Sequence, residues 1–212
     1  MNPLITTLTA ALLTFSLSVA ATPGVELIHL YNQAAQGDED KVDQAYDQFN
    51  ELIRSEGETP LTLVYLGASE TLKGRDTWLP WKAMGYVESG LSHIDRGLNL
   101  LNEQSLPLAQ QPRIQGLPEN YLARATAAVT YTQLPGMFNQ FDKGYDLYLV
   151  LLEEPQFQQQ PFAAVSWIYH YAIAAALKAD DDYQARLWLK RMQQQAPQHP
   201  DTLAAHALLA KG

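Results

Sequence analysis

The sequence predicts an all-α protein, and three observations carry that prediction. The first is apolar spacing: Met84, Val87, Leu91, Ile94, Leu98 and Leu101 fall at intervals of three and four, which places them on one stripe of a helix. Phe138, Phe141, Tyr145, Tyr148 and Leu152 repeat that spacing, as do Phe162, Val165, Tyr169, Ala172 and Ala176. The second is that no six residues hold the period-two alternation of a half-buried strand. The third is punctuation. Pro60, Pro80, Pro118, Pro135, Pro161 and Pro197 stand at the edges of the apolar-periodic runs, where a missing N–H costs little.

In chain order, residues 1–21 come first and contain no Asp, Glu, Lys or Arg. Residues 4–21 are mainly apolar and hydroxylic, and Ser18-Val19-Ala20 puts small side chains where a signal peptidase reads. The expectation is a signal peptide cleaved near Ala20 or Ala21, followed by a single domain over 22–212 that is secreted or periplasmic. The segment is too short and too rich in Thr and Ser for a spanning helix, which needs about 20 apolar residues. No stable membrane insertion is expected once it is removed.

Nine helices are predicted, near 24–36, 39–55, 60–73, 81–103, 118–133, 137–154, 161–178, 181–196 and 200–210. Asp38-Glu39-Asp40 and Asp180-Asp181-Asp182 precede two of them, where carboxylates cap free N–H groups and oppose the positive end of the helix dipole. Neither cluster has the alternating ligands and closing Glu of a calcium loop. Short connections imply antiparallel neighbours stacked as hairpins, four pairs and one helix left over. The exception is 104–117, with Pro107, Pro112 and Gly116, which reads as a surface crossover or as a hinge or lid.

Composition narrows the function classes. The 47% hydrophobic content of 212 residues is enough for a core without staples. A formal charge of -9 repels nucleic acid and anionic membranes, so neither is expected as a partner. With no cysteine there are no disulfides, thiolate metal sites or Cys nucleophiles. The chain has no GxSxG elbow, HExxH pair, glycine-rich phosphate loop or Walker lysine, and no metal or cofactor is expected.

Histidines and carboxylates add no catalytic pattern. His93 and Asp95 are two apart and do not share a helical face, so they form neither a dyad nor a metal pair. His170 reads as a core or groove residue, and His199 and His206 flank the last helix. Glu119 with Glu153-Glu154 could supply an acid and a base. The simpler reading is helix-terminal charge.

The stretch KADDDYQARLWLKRMQQQAPQHPD, with Tyr183, Ala185, Leu189, Met192 and Pro197 in fixed spacing, resembles the second helix of a tetratricopeptide repeat. AYDQFNELIRSEGETP repeats part of it with Ala45, Phe49 and Leu52, and Leu66-Gly67 resembles the Leu-Gly pair of a first helix. Gly97 and Gly144 stand where alanine is usual, and GRDTWLPWK (74–82) is an insertion that a repeat of about 34 residues has no room for. The resemblance therefore implies degenerate repeats forming an α-α superhelix. Residues 67–101 and YLARATAAVTYTQLPGMFNQFDKGYDLYLVLL are similar to an uncharacterised group of bacterial exported repeat proteins, and no activity comes with that similarity.

Stacked hairpins bind partners through exposed aromatic and basic side chains on a concave surface. Tyr145, Tyr148 and Tyr169 lie on apolar stripes and are expected in the core, whereas Tyr121, Tyr131 and Tyr171 are less accounted for. The partner-binding candidates are Arg75, Trp78, Trp81, Lys82, Tyr121 and Arg124. Arg75 and Lys82 bracket the two tryptophans, a patch suited to a peptide carrying carboxylates or aromatics. The alternative, and the favoured one, is that Arg75 pairs with Asp76 or Glu70 while the tryptophans plug the corner between two helices. The function expected is a non-catalytic interaction module of the bacterial envelope with a protein or peptide partner. An exported small-molecule or glycan binder is the alternative, and a cell-wall enzyme comes third.

Overall fold

The computed structural model describes residues 22–104 and 106–210, and they are almost entirely helical. The expected export segment, residues 1–21, lies outside them. Ten helices occur among the described residues: α1 Val25–Ala35, α2 Glu39–Glu56, α3 Pro60–Asp76, α4 Pro80–Gln104, α5 Glu119–Gln133, α6 Phe141–Leu151, α7 Pro155–Gln158, α8 Phe162–Lys178, α9 Asp182–Gln195 and α10 Pro200–Leu209. None is long and apolar enough to cross a membrane.

Eight of the nine predicted helices appear within a few residues of their expected ends. The helix expected over 137–154 is broken. Gly136–Phe138 forms a single 3-10 turn after Pro135, and Asn139 leaves it in the left-handed region at φ 51 before α6 begins. Asparagine tolerates that conformation better than most residues. At the far end, Pro155 starts the one-turn helix α7, where its missing N–H is not needed.

The crossover holds a second departure. Arg113–Ile114 pairs antiparallel with Leu117–Pro118 around Gln115 and Gly116, both at positive φ. Two residues per strand are too few to register as alternation in a sequence. Ile114 and Leu117 are buried and peg this hairpin to the core. The Glu119 N–H donates to the Pro112 carbonyl at 3.2 Å, and the Asn120 N–H to Gln111 Oε1 at 2.9 Å. The second half of the crossover is thereby fastened to the start of α5.

Helices α1/α2, α3/α4, α5/α6 and α8/α9 form hairpins, with α10 left over. The first helix of each later hairpin leans on both helices of the one before: α3 on α1 and α2, α5 on α3 and α4, α8 on α5 and α6, and α10 on α8 and α9. Helix α3 is buried on every side from 61 to 71. Its Tyr65 stacks on Phe49 of α2 at 5.4 Å and meets the edge of Tyr31 of α1 at 4.9 Å. Burial pushes the Tyr31 phenol up to about 12.

Glycine sets the closest contact in the molecule. A Cβ on Gly67 would lie 2.3 Å from the Gly90 carbonyl oxygen, and one on Gly90 would lie 2.4 Å from that of Gly67. Gly74 against Val87 and Gly97 against Pro60 extend the seam, and the falling order on α4 makes the pair antiparallel. Gly144 brings α6 nearly as close to Ala128, Tyr131 and Thr132 of α5, where a Cβ would lie 2.8–3.0 Å from them.

The acidic clusters behave differently from each other. Asp181 accepts the Gln184 N–H at 3.0 Å and the Tyr145 hydroxyl at 2.8 Å, so it both caps α9 and ties it to α6. Asp38 makes no such cap and acts on α2 only through its charge. Asp181→Ala is expected to lower stability by about 1–2 kcal/mol, with Asp38→Ala smaller, as read from urea midpoints.

Candidate functional site

Only residues 77–79 separate α3 from α4, so GRDTWLPWK is not an inserted loop. Its ends lengthen the two helices, to 17 and 25 residues. The favoured expectation for this stretch is half overturned. Trp78 is 86% exposed and Trp81 70% exposed, so neither indole plugs the corner. The reason is the glycine seam: a Cβ on Gly74 would lie 2.6 Å from Val87 Cγ2 and 3.0 Å from the Ala83 carbonyl oxygen. Backbones that close leave no slot for an aromatic ring, and both tryptophans project into solvent.

The other half of that expectation holds. Arg75 grips Asp76 bidentately, Nε to Oδ1 at 2.5 Å and Nη2 to Oδ2 at 2.8 Å, and does not touch Glu70. Its Nη2 also donates to the Ala34 carbonyl at 3.3 Å, joining the corner to the end of α1. Lys82 is exposed and forms no ion pair among the described residues. The corner therefore presents two indoles, one unpaired ammonium and one guanidinium already committed.

Tyr121 does not belong with them. It is fully buried, its ring edge-on to Phe157 at 5.3 Å, and offers nothing to a partner. Tyr131 is equally buried, and of the three less certain tyrosines only Tyr171 reaches the surface, at 38%. The Arg124 side chain is 16% exposed and lies elsewhere. Glu119 Oε1 accepts the Leu61 N–H at 3.3 Å, setting the first turn of α5 beside the first turn of α3. Arg75 lies fourteen residues farther along α3, about 21 Å at the rise of a helix. The six sequence candidates thus divide into a corner, a core residue and a second surface.

That second surface is an open cleft. Asp95, Leu98, Asn99 and Leu101 of α4 face Lys143 and Leu147 of α6, with Arg124 of α5 as the floor, around a space of about 290 Å³. It continues into a shallower space of about 530 Å³ bounded also by Asn120, Asp146, Val150 and Glu154. An ion pair stands at each end: Lys143 Nζ on Asp95 Oδ1, and Arg124 Nη1 on Glu154 Oε1 at 2.6 Å. Asp95 also accepts the Tyr131 hydroxyl, whose proton affinity burial raises. Sequence reasoning found Arg124 and missed Asp95 and Lys143. Leu98 was visible as an apolar-spaced residue, Leu147 was not on the stripe read for its helix, and only the gap between α4 and α6 makes both of them cleft wall.

The carboxylates weighed for catalysis are each committed to a structural partner. Glu119 caps α3, a neighbouring helix and not its own, and burial raises its proton affinity. Glu153 pairs with Arg191 at 2.9 Å and Glu154 with Arg124. His93 meets Glu70 across the α3–α4 seam, Nδ1 to Oε2 at 2.6 Å, where Ser89 Oγ also donates to Oε1 at 2.8 Å. Asp95 faces away from His93, toward Tyr131 and Lys143. No family model, no curated protein and no solved structure matches this chain.

Proposed function

We propose that this chain is a non-catalytic interaction module of the bacterial cell envelope, built of degenerate tetratricopeptide-like hairpins and exported to the periplasm or beyond by residues 1–21. The order of helix packing supports the repeat reading, because both helices of each hairpin lean on the first helix of the next, as in a stacked solenoid. The partner is a protein or peptide.

The observation that carries the proposal is the exposure of Trp78 and Trp81 on a well-formed corner. Aromatic side chains of this size bury 150–250 Å² each on association, and tryptophan is among the residues that most often dominate binding energy. Lys82 beside them suits a partner that brings carboxylates or aromatic rings. The commitment of Glu119, Glu153 and Glu154 to structural partners supports the non-catalytic part.

The test is capture from an envelope extract with wild type and with Trp78→Ala/Trp81→Ala. Wild type is expected to retain a partner that the double variant loses at least tenfold, a level set by the usual cost of truncating a central aromatic, about 2 kcal/mol. The Tm of the variant should stay within about 1 °C of wild type, since removing exposed indoles opens no cavity. A partner held equally by both proteins sinks the corner as contact surface. The second reading, an exported small-molecule binder, is favoured by the α4–α6 cleft.

A further inference from the structure

The geometry points to the α4–α6 cleft as a binding site for a small zwitterion with an apolar side chain, an amino acid or a short peptide. This stands apart from the corner and does not depend on it.

Two cations enter the cleft with donors to spare. Arg124 uses Nη1 on Glu154 and on Asn120 Oδ1, at 2.6 and 3.3 Å, and among the described residues no bond engages its Nε or Nη2. Lys143 has three N–H donors, of which Asp95 takes one, and its ammonium lies 4.7 Å from the Tyr131 ring centre. A carboxylate lodged between them gains charge-assisted hydrogen bonds without breaking either ion pair. The opposite charge is also present. Asp146 lines the shallower end and forms no ion pair among the described residues, which leaves it free to receive an ammonium group.

Between these poles the walls are mixed, with leucines beside Asn99 and Asn120. Leu98 and Leu147 border both parts of the cleft, and Val150 is 59% exposed along the rim. The space of about 290 Å³ is near the lower end of the range used by ligand pockets, roughly 300–1,000 Å³. That suits the carboxylate end and one aliphatic side chain, while the ammonium end reaches Asp146 in the adjoining space of about 530 Å³, which Arg124 and Lys143 also line. The protein's charge of -9 repels a free anion, so a ligand that carries its own positive charge is favoured over a simple carboxylate.

Calorimetric titration with the dipeptide leucyl-alanine, its C-terminal amide and its N-acetyl form tests the assignment. The dipeptide is expected to bind wild type, and the amide at least tenfold more weakly because it has no carboxylate to accept the spare donors of Arg124 and Lys143. The N-acetyl form, which has nothing for Asp146, should also be weakened. Lys143→Gln should weaken the dipeptide at least tenfold. Lys143 is half exposed, so that variant folds, and a circular dichroism melt verifies it. No binding of the dipeptide at millimolar concentration, equal binding of dipeptide and amide, or full affinity in Lys143→Gln overturns the proposal.

Discussion

Gly67→Ala is expected to lower the stability of this protein by about 3 kcal/mol, the upper end of the usual cost of overpacking, and its Tm by roughly 6–12 °C. The new methyl would stand 2.3 Å from the Gly90 carbonyl oxygen and 2.8 Å from Ile94 Cγ1. A flexible side chain could turn aside, but a helical carbonyl cannot move without separating α3 from α4. That separation would reach the core, because α3 is the helix on which α1, α2, α4 and α5 all rest. Gly85→Ala is the control. Gly85 is on α4, exposed, with nothing within 4 Å of its missing Cβ, so alanine there should stabilise by about 0.5–1 kcal/mol through helix propensity alone. Equal melting temperatures for Gly67→Ala and Gly85→Ala would refute the seam as the organising contact.

Glu70→Ala should cost about 1–3 kcal/mol, the usual cost of leaving buried hydrogen-bond partners unsatisfied. Glu70 is 5% exposed, and its two oxygens accept the Ser89 hydroxyl and the His93 ring nitrogen. The pair also makes stability depend on pH. The hydrogen bond to Glu70 raises the imidazole above its ordinary value of about 6.5, outweighing partial burial, with the charges of Glu70 and Glu58 adding to the effect and Arg96 opposing it. A raised histidine stabilises fully below its unfolded value, and that stabilisation is lost as pH climbs through the folded one. Urea midpoints should therefore decline from about pH 6 upward in wild type, and His93→Gln should flatten that decline. An unchanged slope in the variant would mean that His93 contributes nothing to it.

Much of this architecture was legible before any coordinates. Pro60, Pro80 and Asp181 act within one turn of their own position, and apolar spacing of three and four needs no knowledge of neighbours. The pairing of Arg75 with Asp76 was readable for the same reason, being one residue apart. Tyr121 and the tryptophans were not. Tyr121 sits in a helix whose apolar faces are ambiguous, and its burial depends on Phe157 of α7, a helix that Pro155 starts outside the long periodic runs. The tryptophans looked like corner plugs because large aromatics are normally buried, and nothing near them in sequence announces that Gly74 and Val87 have already closed the space.

The sequence by itself determined where most helices begin and end, α6 and α7 excepted, and that they fold as hairpins, because capping, proline geometry and amphipathic period are local properties. Tertiary structure alone decided which side chains face water. Exposure depends on how near the next helix comes, and that distance is set between helices: by Gly74 on Val87, which leaves Trp78 and Trp81 no slot, and by the parting of α4 from α6, which opens the cleft around Arg124 and Lys143.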